Sequence, residues 1–213
     1  MPANSIAIFD YGAGNLFSLK SALERNGAHK ATIIRDIDGI KKFSGLILPG
    51  VGNFDPAMRT IGPHKESLVR AINDATDSGL PMLGICLGME MLFEKSEEGT
   101  LDGLKIFEGE VLLLDRTRVK IPHMGWNNLH LTAKHSNLLR GVKDGSWVYF
   151  VHSYYVKPKD RGLIVANSHY GTRFPAVVER GNLYGTQFHP EKSGSVGAAI
   201  LKNFLRVCSQ TCT

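Results

Sequence analysis

Pro81-Met82-Leu83-Gly84-Ile85-Cys86-Leu87-Gly88-Met89-Glu90 is a short apolar run that breaks at a cysteine set between two glycines. Pro81–Ile85 reads as a buried strand ending at Cys86, and Gly88–Phe93 begins the next helix. A cysteine flanked two residues away on each side by glycine follows the nucleophile-elbow pattern, with cysteine in the place of serine. The chain must turn sharply from strand to helix there, so side chains at the flanking positions would clash. The nucleophile is then held at the start of a helix, where backbone N–H groups and the positive end of the helix dipole favour thiolate over thiol. The same motif also admits a buried cysteine between packing glycines.

Upstream of this segment, strands and helices alternate. Ser5–Asp10 is a strand that ends in the turn-rich Asp10-Tyr11-Gly12-Ala13-Gly14-Asn15. A helix follows, with Leu16, Leu19, Ala22 and Leu23 on one face and Gly27 just past its end. Ala31–Arg35 and Gly45–Leu48 are strands, the second ending at Pro49-Gly50-Val51-Gly52. Glu66–Ser78 is helical, with Leu68, Val69, Ile72 and Ala75 inward. This alternation predicts an open, mostly parallel α/β sheet with helices on both faces. Downstream the chain is richer in strands, at Glu110–Leu114, Trp147–His152, Leu163–Ser168, Ala176–Glu179 and Leu183–Phe188, before a closing helix at Val196–Val207. With no repeat or linker, residues 1–213 read as one domain. In such sheets ligands bind beyond the carboxyl ends of the strands, so the loops after residues 10, 48 and 85 should face one crevice.

At 213 residues, with 43% apolar and 21% charged residues, the chain has the composition of an ordinary globular protein that needs no disulfide or metal to hold its core. The net charge of +5 is mild and spread out, which argues against nucleic-acid binding. No apolar run is long enough to span a membrane, and the N-terminus has no basic segment leading into an apolar core. The cysteines, Cys86, Cys208 and Cys212, do not form a disulfide framework. A cytoplasmic location is expected, with Cys208 and Cys212 as tail residues without a role.

A nucleophilic thiol needs a base. His189, in Gln187-Phe188-His189-Pro190-Glu191, sits at a strand end with a carboxylate two residues on, which can orient its ring and stabilise the imidazolium. His123 and His152 are the rivals, and a surface histidine in a proline-capped turn is the alternative reading. Acyl chemistry also needs an oxyanion hole. The Leu87 N–H is one candidate donor, and the glycine-rich loop at Val51 is the natural source of the second.

Together these pieces resemble the triad-type, or class I, glutamine amidotransferases. The resemblance rests on Pro49-Gly50-Val51-Gly52, Gly84-Ile85-Cys86-Leu87-Gly88 and His189-Pro190-Glu191, in the family's order. Within the family, four segments look like the glutaminase subunits of imidazole glycerol phosphate synthase: Asp10-Tyr11-Gly12-Ala13-Gly14-Asn15-Leu16, Pro49-Gly50-Val51-Gly52, Pro122-His123-Met124-Gly125-Trp126-Asn127 and Tyr149-Phe150-Val151-His152-Ser153-Tyr154. The resemblance implies an open sheet with additional antiparallel strands in the second half. It implies hydrolysis of L-glutamine through a glutamyl thioester on Cys86, with His189 as base and Glu191 as its orienting carboxylate. It implies that Glu98 holds the substrate α-amino group and that Gly52, Ser153 and Tyr154 line the glutamine pocket. Ammonia would pass to a (β/α)₈-barrel cyclase of histidine biosynthesis, across a face holding Asn15, Trp126 and Lys192. No metal or organic cofactor is implied.

Glu90 departs from the family, which usually has glutamine four residues after the nucleophile. One helical turn separates it from Cys86, so both can face one pocket. An ionised carboxylate there would oppose thiolate formation. Glu90 could pair with the substrate α-amino group or another cation, be protonated, or point away. The first is the expectation, because it needs no large pKa shift. Three other readings of the chain stand beside this one: ammonia supply to a different synthase, a cysteine hydrolase of similar topology, and an inactive binding module.

Overall fold

The computed structural model describes residues 4–12, 14–37, 39–132 and 135–210, and for residues 74–78 the backbone alone. Ala13, the inward placement of Ala75, and Cys212 therefore lie outside the described residues. In chain order the elements are β1 (Ser5–Phe9), α1 (Leu16–Arg25), β2 (Lys30–Ile34), β3 (Gly45–Leu48), α2 (Phe54–Ile61), α3 (Lys65–Ser78), β4 (Met82–Ile85), α4 (Leu87–Glu90), β5 (Lys95–Ser96) and β6 (Gly109–Leu113). They continue with β7 (His123–Asn128), β8 (His130–Leu131), β9 (Trp147–His152), β10 (Tyr154–Pro158), β11 (Ile164–Tyr170), β12 (Thr172–Arg180), β13 (Leu183–Thr186) and α5 (Gly194–Gln210).

Eight strands form the main sheet in the order β2-β1-β3-β4-β13-β12-β11-β8. The five from β2 to β13 run parallel, and β12, β11 and β8 add antiparallel pairs. The central strands are buried throughout and mostly apolar because both of their faces are covered. Ile6 and Ile8 of β1 pack with Leu19 and Leu23 of α1 and with Ile200 and Phe204 of α5. Ala7 and Phe9, pointing the other way, pack with Phe54 and Met58 of α2 and Leu68 and Ile72 of α3. Two smaller sheets, β10-β6-β5 and β7-β9, lie outside the main one.

The expected elements all form, with ends shifted by a few residues. Among the described residues, five others were not legible in the sequence: α2, β5, β7, β8 and β10. β7 is the instructive one. Its sequence HMGWNN has little apolar content and contains Gly125 at φ 139°, a backbone that only glycine adopts readily. It is a strand because it pairs with β9 along its whole length. The helix expected over 88–93 stops after one turn. The segment after residue 100 competes for its carbonyls: the N–H groups of Leu104, Ile106 and Phe107 donate to the carbonyls of Met91 and Leu92 at 2.8–2.9 Å.

The turn at Cys86 is tight, with φ 51° and ψ −111° at a non-glycine residue. A Cβ on Gly84 would sit 2.8 Å from the backbone of Gly88, and a Cβ on Gly88 would run into the carbonyl of Leu48. Neither neighbour is a side-chain end that could swing aside. We expect Gly88→Ala to cost about 3 kcal/mol or more, at the upper end for overpacking; equilibrium urea unfolding would show it, and a loss below about 1 kcal/mol would mean that α4 can move off the end of β3.

Candidate active site

The parallel strands β1, β3, β4 and β13 all end at one edge of the sheet, so the segments after them meet there. The Tyr11 hydroxyl donates to the Pro49 carbonyl. Gly50 lies so close to the elbow that a Cβ on it would be 2.6 Å from the Leu87 Cβ and 2.8 Å from the Tyr11 hydroxyl. A narrow cleft at this edge is lined by Gly14, Asn15, Gly50, Val51, His189 and Lys192. Of the three loops expected to face one crevice, those after β1 and β3 line this cleft, and from the third segment Ile85 does.

Cys86 is 6% exposed. Its sulfur lies 3.7 Å from the Val151 carbonyl and 3.9 Å from the Gln187 side-chain nitrogen. Burial pushes its thiol well above the usual range, and the nearby Glu90 adds to this. The Leu87 N–H and the Gln187 amide, both hydrogen-bonded to the sulfur, pull less strongly the other way. The resting group is a thiol. The expectation that a helix end would favour thiolate is not met, because α4 is a single turn and burial outweighs it.

His189 is 2% exposed, and its Nδ1 is 2.9 Å from a Glu191 carboxylate oxygen. That contact puts the ring proton on Nδ1 and leaves Nε2 as the free lone pair. Three buried polar atoms here have no hydrogen-bond partner among the described residues: His189 Nε2, the Gln187 carbonyl oxygen and the second Glu191 oxygen. The segment carrying His189 is pressed against α5, where a Cβ on Gly197 would run into the Pro190 carbonyl. The rival histidines, His123 and His152, bond to each other instead, and burial lowers them to about 4 and about 3.

Glu90 is 4% exposed and accepts a hydrogen bond from the Gln187 amide at 2.8 Å. It therefore does not point away. Burial, with help from Glu98, pushes its carboxyl up to about 8, against the pull of Gln187. This favours the protonated form at neutral pH, one of the three alternatives for this position, and among the described residues no cation pairs with the carboxyl. Glu98 accepts from the Phe54 N–H at 2.8 Å, which ties it to the start of α2. Burial raises its carboxyl as well.

Val51 is 37% exposed at the rim, and Gly52 follows at φ 143°. Ser153 and Tyr154 are half-buried at the turn between β9 and β10, close behind the Val151 carbonyl. Asn15 caps α1 by accepting from the Ser18 N–H and shares the cleft with exposed Lys192. Trp126 is half-exposed on β7 and lies beside Gly194, just past Lys192. Gln187 was not among the expected site residues. Its signal was its place two residues before His189, just past the end of the strand that pairs with β4.

The class I glutamine amidotransferase family model matches residues 7–208. The imidazole glycerol phosphate synthase subunit HisH of Synechococcus sp. (strain JA-3-3Ab) is 47% identical over 207 residues, covering 96% of this chain and 94% of that protein. The HisH subunit of Halobacterium salinarum is 47% identical over 213 residues, with the same coverage. Among solved structures, one chain of PurLQS from Thermotoga maritima superposes with a TM-score of 0.74 at 19% identity, covering 96% of this chain and 98% of that one. That likeness concerns the fold alone. The sequence matches cover nearly the full length of both partners: the chain belongs to the class I glutamine amidotransferases and, within them, to the HisH subunits of imidazole glycerol phosphate synthase.

Proposed function

We propose that residues 1–213 act as one glutaminase domain, which hydrolyses L-glutamine at Cys86 and passes the ammonia to a cyclase partner in histidine biosynthesis. The observation that carries this reading is the pairing of β4 with β13, which brings the buried Cys86 within 3.9 Å of the Gln187 side-chain nitrogen, two residues before the Glu191-oriented His189, at one sheet edge. His189 Nε2 takes the thiol proton as sulfur attacks the side-chain amide carbon. The oxyanion faces the N–H groups of Leu87 and Val51. The imidazolium protonates the departing nitrogen, ammonia leaves, and a thioester remains. Water then gives a proton to Nε2 and attacks the thioester, releasing glutamate and restoring the thiol. Glu191 stabilises the imidazolium in both steps.

Glutamine lies against Gly52, Ser153 and Tyr154, with Glu98 on its α-amino group. Glu90, in protonated form, can donate to substrate as a glutamine amide would, so a neutral carboxyl keeps the position useful. Asn15, Trp126 and Lys192 lie on the side where ammonia leaves, and exposed Met124 (62%) and Trp147 (56%) extend an apolar surface around Trp126. We take the partner to be a (β/α)₈-barrel cyclase that converts a ribulosyl intermediate to imidazole glycerol phosphate, and the compartment to be the cytoplasm. Among the described residues, no helix is long and apolar enough to cross a membrane.

In the complex, Cys86→Ala should lower glutamine-dependent synthesis by about three orders of magnitude or more. Synthesis from ammonium salts should persist, because the cyclase needs only ammonia. Loss of both activities in a folded complex would count against the reading.

Trp126→Ala should raise the Kd for the cyclase at least about tenfold, as for a central aromatic anchor. It should change the stability of the free chain by less than about 0.5 kcal/mol. Titration calorimetry beside thermal unfolding separates the two effects; a variant that unfolds while binding normally would make Trp126 a core residue.

Glu90 has a folded pKa above its unfolded one, so the folded chain holds an extra proton between about 4.5 and about 8. Stability from this group is present below that window and is lost as pH rises through it, at up to about 1.4 kcal/mol per pH unit. Glu90→Gln should remove this slope, gaining on the native chain from pH 5 to pH 8 in urea midpoints. Parallel curves for the two proteins would mean the carboxyl is ionised throughout.

A further inference from the structure

Outside the Cys86–His189–Glu191 set, two histidines and an asparagine lie in a row behind the pocket. His123 of β7 and His152 of β9 face each other across the ladder and are 3% and 5% exposed. His123 is stacked on Tyr170, with ring centres 4.0 Å apart and planes within 13°, and on Phe150 at 5.0 Å and 21°. These rings fix its plane.

One arrangement of protons satisfies the whole row. The Tyr154 carbonyl only accepts, so His152 carries its proton on Nδ1, 2.7 Å away. Both rings are neutral, because burial holds them far below the usual histidine range. A neutral His152 then offers a lone pair at Nε2, and His123 Nδ1, 2.9 Å away, must donate to it. That leaves His123 Nε2 as an acceptor, facing the Asn127 amide nitrogen at 3.4 Å. The same nitrogen gives its other hydrogen to the His169 carbonyl at 2.9 Å, and the Asn127 oxygen accepts from the Asn128 N–H at 2.8 Å, so the amide cannot be turned around. Every donation points one way, from Asn127 through His123 and His152 to Tyr154. The row begins on the strand that carries Trp126 and ends at Tyr154, three residues past Val151, whose carbonyl faces the Cys86 sulfur at 3.7 Å.

We propose that Asn127, His123 and His152 are positioning residues, whose one-way hydrogen-bond chain holds the 151–154 turn against Cys86 and ties it to the Trp126 strand. This rests on the reading of Cys86 as the glutaminase nucleophile. Without the His123 donor, His152 Nε2 becomes a buried unpaired acceptor, and the ring can relieve this only by changing tautomer or turning away from Tyr154.

Two measurements test it. Long-range proton–nitrogen NMR on the isolated chain should find the His152 proton on Nδ1; a proton on Nε2 overturns the arrangement without reference to activity. In the complex with the cyclase, His123→Phe keeps the ring and its stacking but removes the donor. It should raise KM for glutamine about tenfold, the scale of one buried hydrogen bond, while kcat falls by less. His123→Asn, which returns a nitrogen near the Nδ1 position, should bring KM back to within about threefold of the native value. Asn127→Leu, a milder change at a half-buried site, should raise KM in the same sense and serves if the Phe variant does not fold. An unchanged KM in His123→Phe, or equal increases in the Phe and Asn variants, would reduce the row to packing. A native complex that releases no glutamate would instead sink the glutaminase reading.

Discussion

Backbone meets backbone at the elbow. Gly88 lies against the Leu48 carbonyl, and Gly84 against Gly88, with no side chain between them. Side chains in a packed core can shift a few tenths of an ångström to absorb a change, whereas two main chains in contact cannot. β3, β4 and the Cys86 turn therefore move as one block. The 49–52 loop sits on that block through Gly50 and is tied by Tyr11. The His189 segment is pressed onto α5 by the same device at Gly197. Close approach of this kind fixes the relative positions of the segments that carry the chemistry.

Burial then sets the charges. Cys86, Glu90, His123 and His152 are all pushed toward their uncharged forms, and in each case desolvation is the largest cause. An unpaired charge in so dry a place costs several kcal/mol, far more than one hydrogen bond returns. Glu90 illustrates the balance: Gln187 donates to it, yet the carboxyl still rests protonated. The one-turn helix after Cys86 cannot compete with this, since a macrodipole grows with the number of aligned peptide units.

Much of the candidate site's arrangement was legible because the elbow's geometry is local. Glycines on both sides of Cys86, and a carboxylate two residues from His189, are visible in a line of text. Apolar runs marked out the main sheet for the same reason. What the sequence could not show is non-local. β7 and β10 take their strand form from partners far along the chain. His123 and His152 were weighed singly as bases, although 29 positions apart they share one hydrogen bond. Gln187 carries no local mark of this kind, because its role depends on lying across from Cys86. At Glu90 the departure from the family pattern was plain, but the ionisation state depends on how much water reaches it.

The pairing of β4 with β13 also has a consequence for synthesis. Cys86 and Gln187 are 101 positions apart, so the thiol is translated long before the segment that brings Gln187 against it and carries His189. Until then β4 has only β3 as a neighbour and its other edge is open. Such late, long-range closure is slow and leaves an exposed strand edge in the nascent chain. It also means that a ribosome stalled anywhere before β13 yields a fragment with a cysteine but no histidine next to it. With Cys86 and His189 as the proposed nucleophile and base, incomplete products of this design would not consume glutamine, and the candidate site would come into being only as the sheet is closed.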